Sequence, residues 1–202
     1  MSKFNTALLL AVSGLAVSAC SAESTPAPIA NKANELVPGA SASGELIGRD
    51  RSTLGSVSLT QGSSGVLIRI EASGLSEDAR GAWHGVHLHS VGDCSNEDFT
   101  SSSGHINPSM RQHGLLNAFG PDNADLSNIW VAEDGSLHAE LHTTRVFLEG
   151  PDDGTLPALL DGDGSALVIH AGPDDQTSQP IGGAGARIAC AVIMTSSADY
   201  ST

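Results

Sequence analysis

Short runs of alternating apolar and polar residues, cut at close intervals by Gly, Asp, Asn and Pro, fill this chain from about residue 43 onward. Val57 and Leu59 alternate with Ser56, Ser58 and Thr60, and Leu137, Ala139 and Leu141 alternate with His138, Glu140 and His142. A period of two is the repeat of a half-buried strand. Residues 62–65 read as a turn leading into a strand at 66–72, and 167–169 and 188–193 are further short apolar runs. No amphipathic helix longer than two turns can be drawn. The pattern predicts an all-β sandwich or barrel. Two insertions, roughly 90–126 and 171–186, are too long to be idle connections.

Composition narrows the partners. The 202 residues carry a formal charge of −14, from 9 Lys+Arg against 23 Asp+Glu, with 40 % hydrophobic residues. That fits one globular domain and argues against nucleic acid, whose phosphates such a surface would repel.

Lys3 precedes an apolar stretch at residues 7–17, too short to span a bilayer and suited to the h-region of a secretory signal. Val17-Ser18-Ala19-Cys20 then resembles the lipobox of bacterial lipoproteins. The resemblance implies that Cys20 is the lipidated first residue of the mature chain; the alternative is an ordinary cleaved signal with an incidental Cys. The expected organisation is signal peptide 1–19, lipidated Cys20 with a flexible tether to 42, folded domain 43–196 and tail 197–202. The expected location is exported, in the periplasm or cell envelope, with membrane contact through the lipid anchor only. Three Cys are present, and setting Cys20 aside leaves Cys94 and Cys190. In an oxidising compartment these are expected as a disulfide, with two buried free thiols as the alternative.

All eight His lie between positions 84 and 170. His87 and His89 stand two apart in a β-type segment, so both rings share one face, about 6.5 Å apart along the strand. His105 and His113 sit in the first insertion with Asp122 and Asp125, and His170 ends the 167–169 run. Imidazoles suit copper and zinc, and carboxylates suit zinc, which makes this a candidate two-metal site. His84 reads as structural. His138 and His142 have the spacing of a zincin pair without Glu after the first His, and the alternation points both to solvent. Asp161–Gly164 reads as a turn rather than a calcium loop, and Trp83 and Trp130 as packing residues.

Taken together, these motifs resemble the bacterial copper,zinc superoxide dismutase family over roughly residues 43–194. They are His84-Gly85-Val86-His87-Leu88-His89, Gly92-Asp93-Cys94, Gly104-His105-Ile106-Asn107-Pro108, Arg111-Gln112-His113-Gly114, Asp125-Leu126-Ser127-Asn128, Ile169-His170-Ala171-Gly172 and Gly182 through Cys190. The resemblance implies a Greek-key, immunoglobulin-like sandwich or barrel with two long functional loops. It implies copper on His87, His89, His105 and His170. It implies zinc on His105, His113 and Asp125, with His105 bridging the metals. Asp174 then matches a carboxylate linking the two sites, Arg187 an anion-guiding residue beside copper, and Cys94–Cys190 the family disulfide. The implied reaction is dismutation of superoxide by copper redox cycling, with a proton supplied through His105.

One position departs from the family. Its zinc loop reads His-x7-His-x8-His-x2-Asp, and this chain keeps the spacing but has Asp122 in place of the third His. Either Asp122 ligates zinc through oxygen, which the known chemistry of zinc favours, or the zinc site is weak or empty and the enzyme is copper-only. A function of another class, a copper-binding or storage sandwich without turnover, needs neither Arg187 nor a bridging His. The sequence leaves the oligomeric state open, a homodimer included.

Overall fold

The structure, a computed structural model, describes residues 39–150 and 156–196. The expected signal peptide, Cys20, most of the tether and the 197–202 tail lie outside the described residues.

Nine strands carry the fold among the described residues. They are β1 Ser41–Gly48, β2 Thr53–Gly62, β3 Gly65–Ala72, β4 Ala82–His84, β5 Val86–His89, β6 Ile129–Val131, β7 Leu137–Thr143, β8 Ser165–His170 and β9 Arg187–Thr195. An antiparallel sheet runs β5-β8-β9-β1-β2-β3-β7, and β4 pairs with β6. Only Gly85 separates β4 from β5; its N–H donates to the Gly172 carbonyl at 2.8 Å and its carbonyl accepts from His170 N–H at 2.9 Å. A side chain at Gly85 would press on Ala184 and Asp174, so two strands and the second insertion meet there only because it has none. β6 turns into β7 through bonds of 2.9 Å between Ala132 and Ser136 and between Gly135 and Ala132. The sheet therefore curls round until its two ends are joined by a hairpin. β3 lies beside β7 while its own connection runs to β4, which is a Greek-key path.

The alternation read from sequence decides which face is core. Val57 and Leu59 on β2, Val66, Ile68 and Ile70 on β3, and Leu137 on β7 all point into one apolar cluster. Val86 and Leu88 on β5, Leu167 and Ile169 on β8, and Ala189 and Ala191 on β9 join it. Burial of each large aliphatic side chain contributes roughly 1.5–3 kcal/mol.

β5 and β8 are buried at every position because a second layer covers their outer face. On β8 and β9, Ala166, Val168 and Cys190 are covered by Cys94 and Phe99 in a small apolar cluster. Elsewhere the second layer is the two insertions, which occupy 90–128 and 171–186 between strands. His87, His89 and His170 have the outward parity, so they lie between sheet and insertions. Cys94 and Cys190 form a disulfide across 96 residues. Trp83 and Trp130 pack at the surface rather than in the core. They are 52 % and 44 % exposed, and pack on each other across β4 and β6 with ring centroids 5.4 Å apart.

Candidate metal centre

The outer face of β5 brings the first two imidazoles together. His89 faces His105, and His87 faces Asp125, because two segments of the first insertion, one at 105 and one at 125, run alongside β5 as isolated bridges. His170 enters from β8 at an irregularity in the β8–β9 ladder, where it stands opposite Arg187. Such irregularities re-aim a side chain next to a functional site. The ring centroid of His87 is 4.3 Å from that of His105 and 4.8 Å from that of His170. The centroid of His89 is 5.4 Å from His105 and 5.8 Å from His170.

Nearly all the polar bonding of these rings is directed outward. His87 Nε2 meets Asp174 Oδ2 at 2.9 Å, and His89 Nδ1 meets the Ser103 carbonyl at 2.8 Å. His105 Nδ1 meets Asp122 Oδ2 at 2.9 Å, and His170 Nδ1 meets the Gly185 carbonyl at 3.0 Å. The opposite nitrogens, His87 Nδ1, His89 Nε2, His105 Nε2 and His170 Nε2, are buried without any partner. A buried polar atom without a partner costs about 1–3 kcal/mol, so four together call for a shared one. Burial pushes His89 down to about 2 and His170 to about 3, and lowers His87 as well. These rings are neutral at pH 7, with lone pairs on the inward nitrogens. Four imidazoles with their inward nitrogens unpaired are a donor set that fits copper.

A second cluster shares His105. One ligand atom from each of His105, His113, Asp122 and Asp125 lies within 4.8 Å of the others. Asp125 Oδ2 accepts the N–H of Gly114 at 2.7 Å and of Asp122 at 2.9 Å, which leaves Oδ1 turned inward without a hydrogen bond. His113 Nδ1 is likewise without one, 2.6 Å from that oxygen. Burial lowers the His113 pKa, but the carboxylates of Asp125 and Asp174 outweigh it and push it up to about 10. Two imidazoles and two carboxylates fit zinc.

Asp174 joins the clusters. Its Oδ2 faces His87 Nε2 at 2.9 Å and its Oδ1 faces His113 Nε2 at 3.0 Å. Those bonds hold its carboxyl below the usual range against the opposing effect of burial. Gly182, at φ +57, makes room, since a Cβ there would collide with Asp174 Oδ1.

The guanidinium of Arg187 donates from Nη1 to the Phe99 carbonyl at 2.6 Å and to Ser102 Oγ at 3.0 Å, and from Nη2 to the Ser103 carbonyl at 2.6 Å. All three acceptors are neutral, and among the described residues no carboxylate lies within salt-bridge distance of it. Ser103 itself sits at φ 65, ψ −150, a region that side chains strain to occupy. A cavity of about 500 Å³ is lined by His89, His105, His170 and Arg187. A larger one, about 650 Å³ beside Ile106 and Leu156, has no imidazole in its wall.

The family pattern described as Copper/zinc superoxide dismutase (SODC) matches residues 53–193. The chain belongs to this family. It is similar to a Cu-Zn superoxide dismutase of Caulobacter vibrioides, 46 % identical over 145 residues, covering 71 % of this chain and 80 % of the relative. A Cu-Zn superoxide dismutase of Aquifex aeolicus is 40 % identical over 149 residues, covering 74 % and 85 %. Among solved structures, a superoxide dismutase-like protein from Bacillus subtilis superposes with a TM-score of 0.69 at 32 % identity, over 75 % of this chain and 97 % of that one. Membership in the copper/zinc superoxide dismutase family implies copper and zinc as cofactors, and the two donor sets above suit them.

Other residues divide plainly. Both ring nitrogens of His84 lie 2.8 Å from carbonyl oxygens, of His170 and Ala79, so neither faces a metal site. His138 and His142 are exposed. Sequence reasoning gave no role to Asn128, which accepts Asp174 N–H at 2.9 Å and donates to its carbonyl at 2.8 Å. It also missed Arg145, which donates to the Asp125 carbonyl and ties the first insertion to the barrel. Asn128 lay within a matched motif, whereas Arg145 carried no signal, since a bond to a carbonyl leaves no mark on the accepting residue.

Proposed function

We propose that this chain is a superoxide dismutase, with copper held by His87, His89, His105 and His170, and zinc by His105, His113, Asp122 and Asp125. The observation that carries the reading is the polarity of the four rings: every outward nitrogen is bonded to oxygen and every inward one is buried and unpaired. Copper, when bound, supplies one-electron chemistry, so that one superoxide is oxidised to oxygen while another, taking up two protons, is reduced to hydrogen peroxide.

The chain's own residues do the rest. The substrate is a small anion and the protein carries a formal charge of −14, so a local positive focus is needed at the cavity. Arg187 provides it. His105, on the cavity wall, is the ring from which Nε2 can pass a proton to the reduced substrate. Asp174 keeps the protons of His87 and His113 on their Nε2 atoms and so keeps both Nδ1 lone pairs inward. Superoxide assay of the copper-loaded protein tests the reading, and copper retained without turnover would favour storage. Arg187→Ala is expected to lower the second-order rate about tenfold with copper content unchanged. An unaltered rate would remove Arg187 from its role.

The zinc set departs from the family in composition, because Asp122 replaces a family His. Carboxylate oxygen is an accepted zinc ligand, and exhaustive dialysis is expected to leave about one zinc per chain. Copper near full occupancy with zinc near none would make this a copper-only dismutase. Export, processing at residue 19, a lipid on Cys20, a tether to 42, a domain at 43–196 and a tail at 197–202 complete the proposal. They rest on the N-terminal sequence pattern and agree with a disulfide. Such a protein meets superoxide outside the cytosol, in the periplasm or envelope.

A further inference from the structure

The four copper-site imidazoles have four outward anchors of two kinds: backbone carbonyls for His89 and His170, and carboxylates for His87 and His105, the latter from Asp122. The last of these is the anomaly. His105 is the ring shared with the second metal, and that metal would be what holds its Nδ1. Here Asp122 Oδ2 already does so at 2.9 Å, with His105 and Asp122 side chains 8 % and 3 % exposed. The other oxygen of Asp122 accepts Ala124 N–H at 2.9 Å, which fixes the carboxylate plane. Asp125 cannot substitute, since its nearest oxygen stands 3.8 Å from His105 Nδ1.

We propose that Asp122 makes the copper site independent of zinc. With a cation in the second site, Oδ2 is one of its ligands. Without one, Oδ2 accepts the Nδ1 proton of His105 and keeps the Nε2 lone pair facing copper. A histidine at this position holds a neutral nitrogen there, and a neutral acceptor binds the N–H less strongly than a carboxylate does. The substitution that weakens the resemblance to the family's zinc loop thus preserves the copper site when zinc is scarce. This inference rests on the four-histidine assignment above.

The test measures copper affinity by chelator competition on the folded, disulfide-bonded protein, stripped of metal and titrated with Cu(II) alone or with Zn(II) present. In the unaltered protein the two affinities are expected to agree within about threefold. Asp122→Ala is expected to weaken zinc-free copper binding roughly 10–100-fold, the usual effect of losing such an anchor. Asp122→His is expected to bind copper weakly without zinc and to recover when zinc is added. Two results overturn the proposal and leave the four-histidine site standing: unaltered protein whose copper affinity climbs tenfold or more on adding zinc, or Asp122→Ala that binds copper as tightly as the unaltered chain without zinc. No copper binding in either condition overturns the site assignment itself, and the proposal with it. The comparison with and without zinc uses the unaltered chain, so a variant that fails to fold cannot decide it.

Discussion

Asp174→Asn is expected to weaken binding roughly 10–100-fold at one or both metal sites. The argument is a count of protons. His87 and His113 each present an unpaired Nδ1 to a metal, so each must carry its proton on Nε2, and both Nε2 atoms face Asp174 at 2.9 and 3.0 Å. A carboxylate accepts both. An asparagine accepts with one atom and donates with the other, so one of the two rings is turned to the wrong tautomer or left unpaired. Isothermal titration of the metal-free variant with Cu(II) and Zn(II) reads this directly. Unchanged affinities at both sites would show that the rings are held by the insertions rather than by Asp174.

Removing the disulfide has the second large effect, on stability. Cys94→Ser with Cys190→Ser opens a loop closed across 96 residues, which the chain-entropy account values at about 4–5 kcal/mol. For a domain of this size that corresponds to a melting temperature lowered by about 10–15 °C, measured by calorimetry on metal-free protein. A loss below about 1 kcal/mol would mean that the buried Phe99, at 0 % exposure, holds the segment by packing alone. The same segment supplies all three acceptors of Arg187.

The sequence was most legible where one face of a strand is core. Val57 with Leu59, and Val66 with Ile68 and Ile70, announce their strands by period two, and Leu167–Ile169 is continuously apolar because β8 is covered on both sides. β1 was harder to see. Its inward positions are Ala42, Gly44 and Leu46, and Gly44 is required because any side chain there would collide with the Val192 carbonyl. β6 has three residues, and Trp130 faces outward. At the site, spacing and family resemblance named histidines and carboxylates that the structure brings together. They could not deliver the acceptors that orient the rings, because Ser103 and Gly185 act through backbone carbonyls that any residue possesses. The bond from Asp122 to His105 was hidden for a related reason: read along the chain, position 122 is only a mismatch.

Ser103 has a consequence beyond its strain. Its carbonyl oxygen accepts from both Arg187 Nη2 and His89 Nδ1, so the charge proposed to draw the substrate in and a ring proposed to hold copper lean on one atom. Glycine would rest at φ 65 more comfortably, and a chain selected for thermal endurance alone would drift towards it. The same freedom would let that oxygen swing, loosening two parts of the catalytic apparatus at once. At this position selection for durability and selection for turnover pull on the same peptide plane in opposite directions.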